Sequence, residues 1–310
     1  MTGRVRLAHL DGTAVAVMLT CCVLWGLQQV VVKLTLVAMP PFQQCAVRSL
    51  IAALFVFAWS RLRGIALFER DGTLVPGIAA GLLFALEFLC IYGALPRTDA
   101  SRVSVFIYTA PFVVAALLPR FVPAERLRPL QMLGMAGAFV ALAWAFQEGF
   151  SSPACEQCGA RWTGDALALL AALCWGSTTL VIRTTRLAST SPEKTLFYQL
   201  VISAVIPWIA SLAAGEPQSL AAVPLWAWGS LLFQSAIVAF ASYLAWFWLL
   251  RHYPATHLSA FSFLTPLFGL AFAALLLGES ISPRLMVALA FVAIGIWLVN
   301  RRGIPAEPSS

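Results

Sequence analysis

Hydrophobic positions along this chain come in long continuous blocks. Ten blocks stand out, at about 13–34, 41–60, 75–95, 102–119, 129–147, 165–186, 195–213, 226–250, 256–277 and 283–300, parted by short polar turns. A helix that crosses the hydrocarbon core of a bilayer needs ~20 apolar residues, so each block predicts a membrane-spanning helix. The gaps are too short for a soluble domain, and the expected fold class is an all-α membrane protein with ten transmembrane helices. Arg4 and Arg6 precede the first block as they would a signal peptide. That block is longer than a signal-peptide core, has no A-x-A-like cut site and is echoed deep in the chain, so it reads as a span.

The polar positions inside the blocks repeat. Residues 22–33, CVLWGLQQVVVK, return at 172–183 as ALCWGSTTLVIR. Residues 100–111, ASRVSVFIYTAP, return at 255–266 as ATHLSAFSFLTP, and Glu125-Arg-Leu-Arg-Pro129 returns as Glu279-Ser-Ile-Ser-Pro283. The offset stays between 150 and 155, so each half holds five spans. Five is odd, and the second half must enter the membrane from the opposite side. This predicts an inverted-topology repeat: a first five-helix repeat over 1–150, an external linker over 151–164, a second, inverted repeat over 165–302, and a cytoplasmic tail over 303–310. Inverted repeats suit alternating access to a site near the midplane, the usual construction of secondary transporters.

Composition agrees: 61% of residues are hydrophobic and 11% charged, against about 25% charged in a soluble domain. The net charge of +7 would fit nucleic-acid binding, but its distribution points elsewhere. With the N-terminus inside, fourteen Lys/Arg face the cytoplasm and only Arg97, Arg102, Arg161 and Arg284 face outward. This is the positive-inside bias. It predicts a multi-pass inner-membrane protein with both termini cytoplasmic, partnered by lipid and a small-molecule substrate and not by nucleic acid. Cys21, Cys22, Cys45, Cys90 and Cys174 lie in spans as packing residues. Cys155 and Cys158 form a C-x-x-C in the linker, half of a zinc site at most, and read as a loop staple or nothing.

These features together resemble the drug/metabolite transporter superfamily, in its ten-span EamA-type members. The resemblance rests on the Trp-Gly early in each half, on Ala46-Val47-Arg48 in span 2, on the prolines of Thr-Ala-Pro111 and Leu-Thr-Pro266, and on the Glu125-x-x-x-Pro129 and Gly278-Glu279 turns. It covers both halves. It implies a central cavity lined by spans 1–4 and 6–9, with spans 5 and 10 peripheral. It also implies export of small metabolites, amino acids and related amphipathic compounds among them.

Glu87 lies at the centre of span 3. A charge at that depth faces a cavity or a partner, and two readings stand: a cation or proton site, or a structural carboxyl. Arg48, in span 2, could hold a substrate carboxylate bidentately or pair with Glu87. Its second-half counterpart is Gln199, beside Tyr198. Gln28, Gln29, Ser177, Thr178 and Thr179 need partners in hydrocarbon, so they line a wet cavity or bond between helices. Lys33 and Arg183, at span ends, are expected to snorkel to headgroups. Trp25 and Trp175 lie deeper than an interfacial belt and could wall a ligand site or pack beside Gly26 and Gly176. Pro111 and Pro266 break spans 4 and 9 and are candidate hinges, with Tyr108, Thr109, Ser262 and Thr265 as polar neighbours. Span 8 offers Gln234, Ser242, Tyr243 and Trp246 as wall residues, while His252 and His257 fall in the following turn as exposed residues. Glu125 and Glu279 read as turn-setting residues. Gly77-x-x-x-Gly81, Gly134-x-x-x-Ala138 and Gly137-x-x-x-Ala141 are close-packing motifs, within the molecule or at a homodimer face.

The expected function is a secondary exporter of small amphipathic metabolites such as amino acids, working without cofactor or metal. A broad-specificity drug or cation exporter is the alternative, followed by a passive channel or scaffold. An enzyme is not expected, since no H-E-x-x-H, G-x-S-x-G or His/Asp cluster is present.

Overall fold

The computed structural model describes residues 10–97, 103, 106–123, 128–145, 161–277 and 283–300. The turn residues Glu125, Gly278 and Glu279, the Cys155–Cys158 pair and the tail 303–310 lie outside the described residues. So does the side chain of Gln29.

All regular structure among the described residues is helical. The elements are α1 (Gly12–Thr35), α2 (Pro41–Leu62), α3 (Leu74–Ala94), α4 (Ala110–Leu117), α5 (Pro129–Ala145), α6 (Arg161–Thr184), α7 (Pro192–Ala213), α8 (Leu225–His252), α9 and α10 (Pro283–Asn300). Two short pieces, α9a (Ala255–Phe261) and α9b (Leu264–Leu277), make up α9. Seven of the helices are long and apolar enough to cross a membrane. The blocks at 102–119, 129–147 and 283–300 are not among those seven over their described residues.

Local chemistry explains the helix ends. Proline opens α2, α5, α7 and α10, at a position where its missing N–H costs nothing and its fixed φ suits the helix. Asp11 caps α1 by accepting from the Ala14 amide at 2.8 Å, and Ser191 caps α7 by accepting from Lys194 N–H. Just past α2 and α7 the backbone turns left-handed at Gly64 (φ 66°) and Gly215 (φ 67°), where only glycine is at ease. Pro41 and Pro192 stand at the same offset as these two glycines, so α2 and α7 are one element written twice.

Glycine also sets the helix contacts. Added Cβ atoms on Gly77 and Gly81 would lie 2.5 Å from the Tyr198 ring and 2.4 Å from Ile202 Cδ1, so this motif seats α3 on α7. Gly134 and Gly295 likewise bring α5 against α10. Both motifs therefore pack within the molecule. Gly137 faces open space. In the centre, α2 packs on α7, α3 on α6 and α7, and α1 on α9b, while α5 and α10 pack chiefly on each other and join the rest through α9 and Phe112.

Two ends of the bundle can be told apart by their contacts. One carries the turn 36–40 and the loop 214–224. There the Glu216 carboxylate accepts from the backbone N–H of Phe42 (3.2 Å) and Gln43 (2.9 Å), at the start of α2. The other carries the loop 63–73 and the turn 185–191. There Lys194 Nζ donates to Asp71 Oδ2 (2.9 Å) and to the Glu69 carbonyl (2.7 Å), at the start of α7. Each half thus grips the first turn of the other half's second helix.

Candidate functional site

Between the two ends lies a central cavity. It is walled by Trp25, Gln28 and Val32 of α1 and by Phe84, Glu87, Phe88, Ile91 and Tyr92 of α3. Ile107 and Tyr108 come from the stretch before α4, and Trp175, Thr178, Thr179 and Ile182 from α6. Gln199 of α7 and Tyr243, Trp246 and Phe247 of α8 complete it. Nine residues expected at a site are brought together here: Trp25, Gln28, Glu87, Tyr108, Trp175, Thr178, Gln199, Tyr243 and Trp246. Three are placed elsewhere. Tyr198 lays its ring over Gly77, with its hydroxyl 3.3 Å from Thr73 Oγ1. Ser262 is fully buried and donates to the Ser259 carbonyl at 2.6 Å. Arg48 is fully buried one layer behind the wall, its guanidinium 4.1 Å from the Phe88 ring centre and 5.8 Å from that of Tyr92. None of its three nitrogens has a hydrogen-bond partner in the protein, so it forms no hydrogen bond with Glu87.

The wall is mostly aromatic. Trp25 meets Trp246 edge-on at 5.7 Å and Tyr243 at 6.1 Å, and its Nε1 donates to Ser242 Oγ at 2.9 Å. Trp175 meets Tyr108 at 5.4 Å and 89°. One hydrogen bond and three edge-on ring contacts thus fix two flat faces. Glu87 is the charged residue of this wall among those described. The threonines bond back to their own helix, Thr178 to the Cys174 carbonyl (2.9 Å) and Thr179 to that of Trp175 (3.2 Å). Gln199 Nε2 donates to the Thr195 carbonyl, but the side-chain oxygens of Gln199 and Gln28 are buried without a hydrogen-bond partner in the protein. The cavity therefore offers a carboxyl and two amide acceptors between aromatic faces. Such a set suits a positively charged or hydrogen-donating group carried on an apolar body.

Each Trp-Gly pair has a divided role. The tryptophan lines the cavity while the glycine lets its helix lie against a broken one. A Cβ on Gly26 would fall 2.7 Å from Gly269 N and 2.9 Å from the Thr265 carbonyl, and one on Gly176 would fall 2.7 Å from Val113 Cβ. The breaks are real. The chain turns at Tyr108–Thr109 before α4 and at Ser262–Phe263 between α9a and α9b. Pro111 and Pro266 then stand in the first turn of the piece that follows, where a missing donor is tolerated, so the helices restart at the prolines instead of bending around them.

Several expectations need correction. Arg183 does not snorkel; it is buried and donates from Nη1 to the Leu250 carbonyl at 2.6 Å, tying α6 to the end of α8. Lys33 is exposed. His257 is buried within α9a, whereas the His252 ring lies 4.7 Å from that of Trp248, tilted by 36°. Gln234 lies off the wall, in a network toward the 36–40 end. It accepts from Gln44 Nε2 (3.2 Å) and the Tyr92 hydroxyl (3.4 Å) and donates to Ser230 Oγ (3.1 Å). The wall residues Phe84, Phe88, Ile91 and Tyr92 were not singled out from sequence. They flank Glu87 at helical spacing, and projecting α3 around that carboxyl would have found them.

The EamA-like transporter family matches this sequence twice, over residues 12–147 and 162–301. The chain belongs to that family. Among relatives, a Synechocystis protein named an uncharacterized transporter is 27% identical, covering 90% of this chain and 87% of its own. Proteins named probable amino-acid metabolite efflux pumps are 26% identical in Salmonella typhimurium, over 89% and 91% of the two chains, and 24% identical in Escherichia coli, again over 89% and 91%. One solved crystal structure superposes with a TM-score of 0.74 at 20% identity, covering 93% of this chain and 97% of its own, a likeness in fold. The double match makes this EamA-like chain a multi-pass membrane protein built from two copies of one unit. Its family and relatives are named as transporters.

Proposed function

We propose that this protein is a secondary exporter of small amphipathic metabolites, amino acids or related amines, working by alternating access through the central cavity. The observation that carries the reading is that cavity: a carboxyl and two unpartnered amide oxygens between tryptophan faces, enclosed between two repeats that grip each other at both ends. The two gripping loops begin at matched glycines, Gly64 and Gly215, as the loops of two exchangeable gates would. The relatives named as amino-acid metabolite efflux pumps lend weight to the substrate class. In this reading the chain crosses the membrane ten times as inverted repeats, with both termini cytoplasmic, so that the Glu216 grip is external and the Asp71–Lys194 grip internal. Trp25, Gln28, Glu87, Tyr108, Trp175, Thr178, Gln199, Tyr243 and Trp246 contact substrate, and the breaks at Pro111 and Pro266 act as hinges.

The test is transport in proteoliposomes under an imposed substrate gradient, with and without a pH gradient. Glu87→Gln is expected to abolish the response to the pH gradient while exchange persists. Wild-type behaviour of Glu87→Gln in every mode would remove Glu87 from the site. Failure of wild-type protein to move any amino acid or amine would overturn the function.

The aromatic wall around one carboxyl also favours a second reading, export of organic cations that carry no acid group. The two differ in whether anything in the protein recognises a carboxylate.

A further inference from the structure

We propose that Arg48 is a carboxylate subsite of the central cavity, screened from it by Phe88 and Tyr92, so that the complete site takes a zwitterion: an α-amino acid with an apolar side chain. The proposal rests on the transport reading above and adds the charge pattern of the substrate.

Arg48 is fully buried, and Nε, Nη1 and Nη2 all lack a hydrogen-bond partner in the protein. A guanidinium carries five N–H donors in a planar fork and remains charged. Leaving such a group unpaired away from water is among the costliest arrangements a folded chain can hold. The Phe88 face, 4.1 Å from Cζ, offsets part of that cost through its ring electrons. It supplies no acceptor for the N–H groups. The donor set is therefore complete and its acceptor is missing.

Position supplies the rest. Phe88 and Tyr92 touch the guanidinium on one side and line the cavity on the other. A single layer of rings, Phe88 and Tyr92, thus separates Arg48 from the ligand space. Glu87, next to Phe88 on α3, lines the same cavity. An α-amino acid carries its ammonium and carboxylate on one carbon. Its ammonium would meet Glu87 and the amide oxygens of Gln28 and Gln199. Its carboxylate would displace Phe88 and seat on the guanidinium fork, a bidentate geometry that lysine cannot reproduce. The aromatic faces would take the side chain. Tyr92 links this subsite to one end of the bundle, because its hydroxyl also donates to Gln234 at 3.4 Å. Movement of that ring on carboxylate binding would loosen the network there.

The test uses the purified full-length protein and three compounds that share one body: leucine, isopentylamine, which lacks the carboxylate, and 4-methylpentanoate, which lacks the amine. Binding is read by tryptophan fluorescence and by thermal shift. Leucine is expected to bind at least about tenfold more tightly than isopentylamine. Arg48→Gln should bring leucine down to the level of isopentylamine and leave isopentylamine unchanged, and Arg48→Lys should restore little. Phe88→Ala, which uncovers the guanidinium, should strengthen 4-methylpentanoate binding severalfold. If isopentylamine binds wild-type protein as well as leucine does, the carboxylate subsite is overturned while a cation exporter stands. If none of the three binds, the cavity is no amine site and the transport reading falls with the proposal. Should Arg48→Gln fail to fold, the wild-type preference and Phe88→Ala decide the matter.

Discussion

Gly26 and Gly176 show what a single residue controls in a bundle without an aqueous driving force between its helices. In lipid, association depends on close packing and on bonds between helices, so a missing Cβ is itself a contact. At Gly26 the added carbon would meet backbone atoms of Thr265 and Gly269, which cannot swing aside as a side-chain tip can. Gly26→Ala should therefore destabilise the protein by about 1–3 kcal/mol, as overpacking does elsewhere, seen as a lower melting temperature in detergent. Gly137→Ala, facing open space, should leave the melting temperature unchanged or raise it slightly through better helix propensity. Equal losses at both positions would mean that the α1–α9b approach is not what Gly26 serves. The Trp-Gly pairs were legible because they recur at matched places in both halves, and Glu87 because a carboxyl in mid-span is costly in lipid unless used. Tyr198 was not, since its value depends on which helix lies opposite: Gly77 is there, and the ring packs instead of facing the cavity.

Whole elements were legible where prolines and glycines punctuate the apolar blocks, and much less so within them. The starts of α2, α5, α7 and α10 fall on prolines that can be read directly. The course of α8 could not be read, because Phe233–Ser242 winds as a π-helix in the middle of the span. Such a segment shifts every later side chain around the axis relative to an α-helix. In a uniformly apolar block no polar stripe reports the change in period. Spans 4 and 9 fall between these cases: their prolines announce an interruption, but only the structure shows two separate helices. If the break in span 9 is a working hinge, Pro266→Ala should let α9a and α9b join. Exchange should then slow severalfold while leucine affinity and melting temperature hold. Unchanged exchange in proteoliposomes would make the break a packing feature alone.

Two reciprocal grips organise the molecule as a whole. The loop after α2 holds the start of α7, the loop after α7 holds the start of α2, and left-handed glycines at matched positions, Gly64 and Gly215, begin both loops. The chemistry is not matched. Glu216 caps bare backbone N–H groups, an interaction favoured by the positive end of α2. Asp71 instead pairs with the side chain of Lys194. A hydrogen bond from the Thr73 hydroxyl, and then the Lys194 partner, pull the Asp71 carboxyl down from the ordinary 3.8 to about 2. A lowered folded-state value means that the stabilisation is complete above about 3.8 and fades as pH falls towards 2. The grip should accordingly be indifferent to pH between 5 and 8, so any pH response of transport in that range belongs to another group, with Glu87 the first to test. Spin labels at Arg70 and Ser189 should report one narrow distance distribution throughout that range in wild-type protein. Asp71→Asn should broaden it without affecting labels at Val37 and Ala221. Glu216→Gln should do the reverse. If either substitution broadened both ends equally, the grips would be parts of one scaffold, and two repeats that open in turn would no longer describe this molecule.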